Sequence, residues 1–255
     1  MIYEVHRKPN NNVGDVFCNP SRYFDLGECS SEELLGNSSP ITDNTLVVGG
    51  GGLIHKRFSK EIQKLINKNP KHTVLWGIGH NFGVRHVQKQ NGDVYYPDWL
   101  GQCSLVGIRD WIKDHYNTYL PCVSCMHSAF DKEYKIRHDV VYFTHAFKSK
   151  FENTNTFPHM ANNNMSFEDV IGFLGSANTV VTDSYHGAYW AQLLGKNVQV
   201  VSWSVKFDHF KYPLHNIANG INSDYKFVKN SRDDILDEAR YLNKEFYQKF
   251  LNLTT

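Results

Sequence analysis

The sequence predicts an α/β protein built on parallel sheets, and two observations carry that prediction. Short apolar runs recur along the chain, and segments whose apolar residues follow a helical spacing lie between them. Several of the apolar runs end on glycine, histidine or a charged residue, as strands do at the ligand-binding edge of a parallel sheet. We therefore expect two α/β halves, residues 1–130 and residues 131–255, that face one cleft.

The first half contains three predicted strands and one predicted helix. Each strand is a short apolar run bounded by polar residues or glycines, and the helix carries its apolar residues on one face. The strands are Thr45–Val48, His72–Trp76 and Ser104–Ile108, and the helix is Phe58–Asn67.

The second half repeats this alternation of strand and helix. Its predicted strands are Asp139–Thr144, Thr179–Thr182 and Asn197–Trp203, and its helices begin near Ser166, His186 and Ser231. Ser166 and Ser231 are predicted N-caps, because a serine oxygen accepts from the free N–H groups of a first turn and acidic residues follow both serines.

Composition argues against two classes of protein. The 27 lysines and arginines nearly balance the 26 aspartates and glutamates, so the chain lacks the positive field of a nucleic-acid-binding protein. No apolar stretch reaches the length of a membrane span, and the first residues lack the core of a signal peptide. We expect no integral membrane segment and a cytoplasmic location.

The five cysteines do not predict a disulfide framework in a chain of this length. Cys122 and Cys125 have the spacing of a zinc knuckle or a redox pair, but no second such pair follows, so an ordinary thiol pair is expected. The sequence also lacks a D-x-D or H-E-x-x-H cluster, and we expect no protein-bound catalytic metal.

The turn between the strand ending at Thr182 and the next helix is the first candidate site. Ser184 and Gly187 lie where free backbone N–H groups and the positive end of a helix dipole favour an anion. His186 is either a general acid or phosphate ligand there, or a histidine that bonds a backbone carbonyl. We expect it to matter to catalysis rather than to folding.

Three further strand ends carry candidate residues. Gly49, Gly50 and Gly51 follow the strand that ends at Val48, and Gly79 precedes His80. These glycines either let an anion or an acceptor sugar approach the backbone, or they form only a tight turn. Arg109 is either a bidentate clamp for carboxylate or phosphate, or the partner of Asp110.

Polar residues outside these turns complete the candidate set. Asp15, after Asn12 and Gly14, is either a base for an acceptor hydroxyl or the cap of a following helix. Lys206 either neutralises a phosphate or is a solvated surface lysine. Three tryptophans are expected in the core rather than as sugar platforms: Trp76, Trp190 and Trp203.

These residues occur in an order that resembles the polysaccharide pyruvyl transferase family over nearly the whole chain. The motifs are Asn12-Val-Gly-Asp15, the glycine run Gly49–Gly52, Trp76-Gly-Ile-Gly79, Gly107-Ile-Arg-Asp110, Thr182-Asp-Ser-Tyr-His-Gly187 and Lys206. The resemblance implies two Rossmann-like halves facing a cleft, as in GT-B glycosyltransferases, and a transferase of surface-polysaccharide synthesis that uses no cofactor. Its donor would be phosphoenolpyruvate and its acceptor a glycan.

One position departs from the family pattern. Members tied to pyruvyl transfer often have arginine where this chain has Ser184, and that arginine helps to hold phosphoenolpyruvate. A GT-B glycosyltransferase with a nucleotide-sugar donor is therefore the alternative function. A non-catalytic glycan-binding protein is the third, which the number of anion-binding turns disfavours.

Overall fold

The computed structural model describes residues 1–8, 12–36, 39–81, 96–112, 118–145, 157–217 and 229–255. Its strands are β1 (Ile2–His6), β2 (Cys29–Glu33), β3 (Thr45–Val48), β4 (Gly51–Ile54), β5 (His72–His80), β6 (Leu105–Ile108), β7 (His138–Thr144), β8 (His159–Ala161), β9 (Ala177–Thr182), β10 (Asn197–Val200) and β11 (His215–Asn216). Its α-helices are α1 (Val13–Val16), α2 (Lys56–Ile66), α3 (Phe167–Gly175), α4 (Tyr185–Leu193) and α5 (Ile235–Thr254). All pairings between the described strands are parallel, which confirms the predicted α/β class and is consistent with a Rossmann-like fold.

The chain divides into two compact units. The first unit comprises Met1–Pro9, Asp15–Ser124 and Ala239–Thr255, and the second comprises Asn10–Gly14 and Cys125–Glu238. The predicted halves met at residues 130 and 131 and placed the whole C-terminal helix in the second half. The structure instead assigns most of α5 to the first unit.

The sheet of the first unit has the order β2-β1-β3-β5-β4, with β6 paired to β5. The long strand β5 pairs with β3 through its first residues, and beyond the turn at Gly49 and Gly50 it pairs with β4. Its central residues are apolar and fully buried, as expected of a strand in a parallel sheet that is covered on both faces.

An aromatic cluster explains why the C-terminal helix belongs to the first unit. Trp76 is fully buried, and its ring packs edge-on against Phe246 at 4.8 Å and lies 6.0 Å from Phe250. The Trp76 Nε1–H donates to Oδ1 of Asn243 at 2.9 Å, so the polar edge of the indole is satisfied inside the core. Trp76 is thus a core residue, as predicted.

The sheet of the second unit has the order β11-β10-β9-β7-β8. Helix α4 follows β9 and is buried along its whole length, with Trp190 packed edge-on against Phe167 at 5.0 Å and Phe143 at 6.5 Å. The predicted N-cap of α3 is confirmed, since Oγ of Ser166 accepts from the N–H of Asp169 at 3.0 Å. The described residues include no helix long and apolar enough to cross a bilayer.

The histidine His6 in β1 is buried, and its burial should make the stability of the protein depend on pH. Burial lowers its pKa to about 4, from 6.5, so the unfolded chain binds a proton before the folded protein does as the pH falls. The free energy of unfolding therefore falls as the pH is lowered from about 6.5 to about 4, and the loss is about 1–2 kcal/mol at pH 5. We expect the melting temperature of the wild type to fall several degrees more between pH 7.5 and pH 5 than that of His6→Gln.

Thermal unfolding of both proteins across that pH range measures the difference. His138→Gln is the control, because this half-buried histidine begins β7 in the second unit and should leave the wild-type pH dependence unchanged. An equal loss of stability in the wild type and in His6→Gln would contradict the prediction.

Candidate functional site

Polar residues collect at the carboxyl edge of the second unit's sheet, where ligands bind in open parallel folds. His145 follows β7, Asn162 follows β8, and Asp183 and Ser184 follow β9. Trp203 and Lys206 follow β10. Ser184 and Lys206 are predicted site residues and the others are not, although each lies directly after a strand or within a few residues of it.

Asp183 ties three of these strand ends together. It is fully buried, and its Oδ1 accepts from the N–H of His145 at 2.6 Å. Its main-chain oxygen accepts from Nε1 of Trp203 at 2.8 Å, and the Trp203 ring stands edge-on to the His145 ring at 5.6 Å. These bonds fix the turn that leads into α4.

Ser184 is the N-cap of α4. Its Oγ accepts from the N–H of Gly187 at 3.3 Å, so that N–H is already used within the protein. A side chain at Gly187 would lie 2.4 Å from the Phe143 ring, and close packing against the sheet therefore accounts for this glycine. The cap takes up the N–H of Gly187, so an anion at this turn would have to bind the other N–H groups of the first turn or the Ser184 hydroxyl.

His186 lies in the first turn of α4 with 5% of its surface exposed. Its ring is stacked on Trp190 at 5.2 Å and meets the edge of Tyr185 at 5.6 Å. The expectation that the ring has little to do with folding is therefore wrong in part, because a buried, stacked ring contributes packing energy.

The turn at Asn12 packs against the same histidine. Oδ1 of Asn12 accepts from the N–H of Gly14 at 3.1 Å and from Nδ2 of Asn162 at 3.1 Å. A Cβ at Gly14 would stand only 2.0 Å from Nδ1 of His186. Asn12 and Gly14, from the Asn12-Val-Gly-Asp15 motif, thus hold this loop against His186.

Lys206 is buried, with 6% exposed, so the alternative of a solvated surface lysine is wrong. Its Nζ lies 4.1 Å from the centre of the Trp203 ring and 5.5 Å from that of Phe207. Both distances are within cation–π range. Trp203 is only half-buried and, unlike Trp76 and Trp190, is not a core residue.

The carboxyl edge of the first unit's sheet carries a second polar group. His80 ends β5, and both its N–H, at 2.7 Å, and its Nδ1, at 2.6 Å, bond Oδ2 of Asp110. Arg109 follows β6 and is 3% exposed. A Cβ at Gly79 would lie 2.7 Å from Nε of Arg109 and 2.8 Å from Oδ1 of Asp110, so this glycine gives both side chains room against the backbone.

The glycine run forms a turn between β3 and β4. The N–H of Gly49 donates to the oxygen of Val5 at 2.8 Å, and that of Gly50 donates to the oxygen of Cys18 at 3.0 Å. These donors hold the sheet and its neighbouring loop together, which supports the tight-turn alternative over anion binding. Gly51 has a φ of +116°, a conformation that side chains other than glycine rarely adopt.

Asp15 lies inside helix α1 and not at the cap of a following helix. Its Oδ1 is 3.7 Å from the position that a Cβ of Gly51 would take, so the carboxylate and the glycine turn are neighbours. Asp15 is half-buried and remains the candidate base of the first unit.

The thiols of the first unit form a buried group. The hydrogen bond between Cys18 and Cys122, together with burial, raises the pKa of Cys18 well above its usual range. Ser124 donates its hydroxyl hydrogen to Sγ of Cys122 at 3.3 Å, whereas Cys125, which is also buried, belongs to the second unit. Cys18 is thus held as a neutral thiol, which disfavours a role as nucleophile.

No protein-family model and no curated protein matches the chain. Among solved structures, the chain is similar to the crystal structure of a functionally uncharacterised protein from Klebsiella pneumoniae subsp. pneumoniae. The two are 16% identical, and the match covers 96% of this chain and 90% of the other with a TM-score of 0.47. This likeness names no activity.

Proposed function

We propose that this protein is a transferase of cell-surface glycan synthesis that moves a pyruvyl group from phosphoenolpyruvate onto a sugar. The observation that carries the proposal is a pair of buried cations. Arg109 and Lys206 are 3% and 6% exposed, and each follows a strand at the carboxyl edge of a parallel sheet. Cations held at such an edge suit the carboxylate and phosphate of this donor.

The reaction requires an acid, a base and positive charge near the donor. Protonation of the donor's methylene carbon makes C2 electrophilic, and a sugar hydroxyl then attacks C2 and loses its proton. Phosphate leaves, and a second hydroxyl closes the ketal. We assign His186 as the acid, Asp15 as the base, and Arg109 with Lys206 as the groups that stabilise the developing charge.

The proposal includes the GT-B-like arrangement that the family resemblance implies, in which the two α/β halves face one cleft. It also includes a cytoplasmic enzyme that uses no cofactor and no protein-bound metal. The donor and the glycan acceptor are then its partners.

A glycosyltransferase with a nucleotide-sugar donor is the second candidate, and one observation favours it. Ser184, at the position where pyruvyl transferases often carry arginine, is a buried helix cap and brings no positive charge to the turn. Such an enzyme would bind a diphosphate through Lys206 and the start of α4.

Ligand-induced stabilisation separates the two candidates. A ligand that binds only the folded protein raises the melting temperature, by roughly 5–10 °C at about 100 times its Kd for a chain of this size. We expect phosphoenolpyruvate to stabilise the wild type in this way and Arg109→Gln to lose most of the shift. Arg57→Gln is the matched control, because Arg57 is exposed on α2.

The melting temperatures without ligand show whether each variant folds. Stabilisation by nucleotide sugars alone would replace the pyruvyl transferase proposal with the glycosyltransferase. An undiminished shift in Arg109→Gln would remove Arg109 from the donor site.

A further inference from the structure

Asn162 has a polar atom that the rest of the described chain does not satisfy. The residue follows β8 and is 2% exposed. Its Nδ2 donates to Oδ1 of Asn12 at 3.1 Å and to Oγ of Ser184 at 3.3 Å. Among the described residues, no donor reaches its Oδ1, although this oxygen is buried. A buried acceptor without a donor is costly, and such atoms commonly belong to ligand sites.

The orientation of the amide follows from its neighbours. The N–H of Gly14 can only donate, so the Asn12 atom 3.1 Å away must be the oxygen. That oxygen can only accept, so the Asn162 atom beside it must be the nitrogen. Exchanging the two atoms of the Asn162 amide would place two oxygens in contact. Oδ1 of Asn162 is therefore held as a hydrogen-bond acceptor.

Ser184 supplies the complementary donor. Its Oγ accepts two hydrogen bonds, from Nδ2 of Asn162 and from the N–H of Gly187, each at 3.3 Å. A hydroxyl oxygen has two acceptor positions and one hydrogen, so the hydrogen of Ser184 is left to donate in another direction. An acceptor and a donor thus lie on neighbouring side chains at the same edge of the sheet.

We infer that Asn162 and Ser184 together bind a hydroxyl group of the substrate. The hydroxyl donates to Oδ1 of Asn162 and accepts from Oγ of Ser184. An ionised phosphate or carboxylate oxygen has no hydrogen for Asn162, and an ammonium group has no lone pair for Ser184. The pair therefore selects a hydroxyl over either ion. This inference rests on the proposed function and deepens it, because it replaces the predicted anion-binding role of Ser184 with recognition of a sugar.

The hydroxyl belongs either to the acceptor sugar or to the ribose of a nucleotide donor, and titrations distinguish these sources. We would follow the side-chain amide signal of Asn162 by nuclear magnetic resonance while adding methyl glycosides of glucose, galactose and mannose in one series and uridine in another. We expect the glycosides to shift this signal and Asn162→Leu to bind them on the order of tenfold or more weakly.

Two further variants keep the test independent of one substitution. Ser184→Ala removes the donor and should weaken glycoside binding by a similar factor even if Asn162→Leu does not fold. Asn178→Leu is the matched control: Asn178 is exposed, and its Nδ2 donates to Oδ1 of Asp139 at 3.1 Å. It should bind the glycosides as the wild type does.

Several results would overturn the inference. One is the absence of a shift with every glycoside and with uridine at about 50 mM, well above a Kd of about 1 mM. Another is an equal shift with inorganic sulfate, an anion that carries no hydrogen at neutral pH. The third is a structure with saturating glycoside in which a water molecule still lies between Asn162 and Ser184. A shift with uridine alone supports the hydroxyl site but assigns it to the donor's ribose. Stabilisation by phosphoenolpyruvate is measured in a separate experiment. A failure of the hydroxyl site therefore does not contradict the proposed donor, and a failure of the donor does not contradict the hydroxyl site.

Discussion

Replacing His186 by glutamine is expected to reduce turnover about a hundredfold or more while the protein stays folded. Glutamine keeps a polar side chain of similar length in the turn before Trp190 but cannot transfer a proton as imidazole does. The measurement is phosphate release from phosphoenolpyruvate with an acceptor sugar, or transfer from the donor that the stabilisation screen identifies.

His186→Ala separates packing from chemistry. The ring is 5% exposed and stacked on Trp190, so its removal leaves a cavity and should cost about 2–4 kcal/mol of stability. Activity should fall in both variants, but only the alanine variant should melt much earlier. His138→Gln, remote in sequence at the start of β7, serves as the control for a histidine change in the second unit.

Full activity of His186→Gln with the true donor would make the ring a packing residue. The acid role would then pass to another group, with Asp15 the first to be substituted. Unfolding of the glutamine variant would show that the stacking and packing of this ring are required by the fold itself.

The strands with continuous apolar runs could be predicted from the sequence, and the polar ones could not. Thr45–Val48 and Thr179–Thr182, the last four residues of β9, are buried on both faces, and no charged or amide side chain interrupts either segment. β1 was not predicted, because the fully buried Glu4 interrupts its pattern. Glu4 is accommodated by Ser21, whose N–H and hydroxyl both donate to its carboxylate.

The edge strands were missed for a related reason. β2 has the sequence Cys-Ser-Ser-Glu-Glu and β11 has only two residues, so neither carries a hydrophobic signal. Their pairing is set by backbone hydrogen bonds to β1 and β10. Such partners are long-range and do not appear in a local pattern.

The candidate site shows the same division between local and long-range information. Ser184, His186 and Lys206 could be found because each stands in a recognisable turn after a strand. Asn162 and Asn12 could not be paired, because their contact joins residues far apart in the chain. The sequence also could not show that the N–H of Gly187 is taken by Ser184, since a cap and an anion site have similar sequence signatures.

Gly14→Ala is expected to displace the histidine and to impair both stability and turnover. The added methyl group would lie 2.0 Å from Nδ1 and 2.5 Å from Cγ of His186, distances that atoms not bonded to each other do not adopt. Either the imidazole rotates away from Trp190 or the turn held by Asn12 moves. Overpacking of this kind costs about 1–3 kcal/mol, so the melting temperature should fall by several degrees.

Loss of turnover in Gly14→Ala should exceed what the fall in stability explains, because the displaced ring no longer holds its position for proton transfer. Activity is therefore compared at a temperature where both proteins are folded. Gly101→Ala is the matched control, since a Cβ at Gly101 meets no atom of the described residues within 4 Å, and we expect it to behave as the wild type does. Wild-type stability and turnover in Gly14→Ala would mean that the loop and the ring separate easily, and the first motif would then have no part in placing His186.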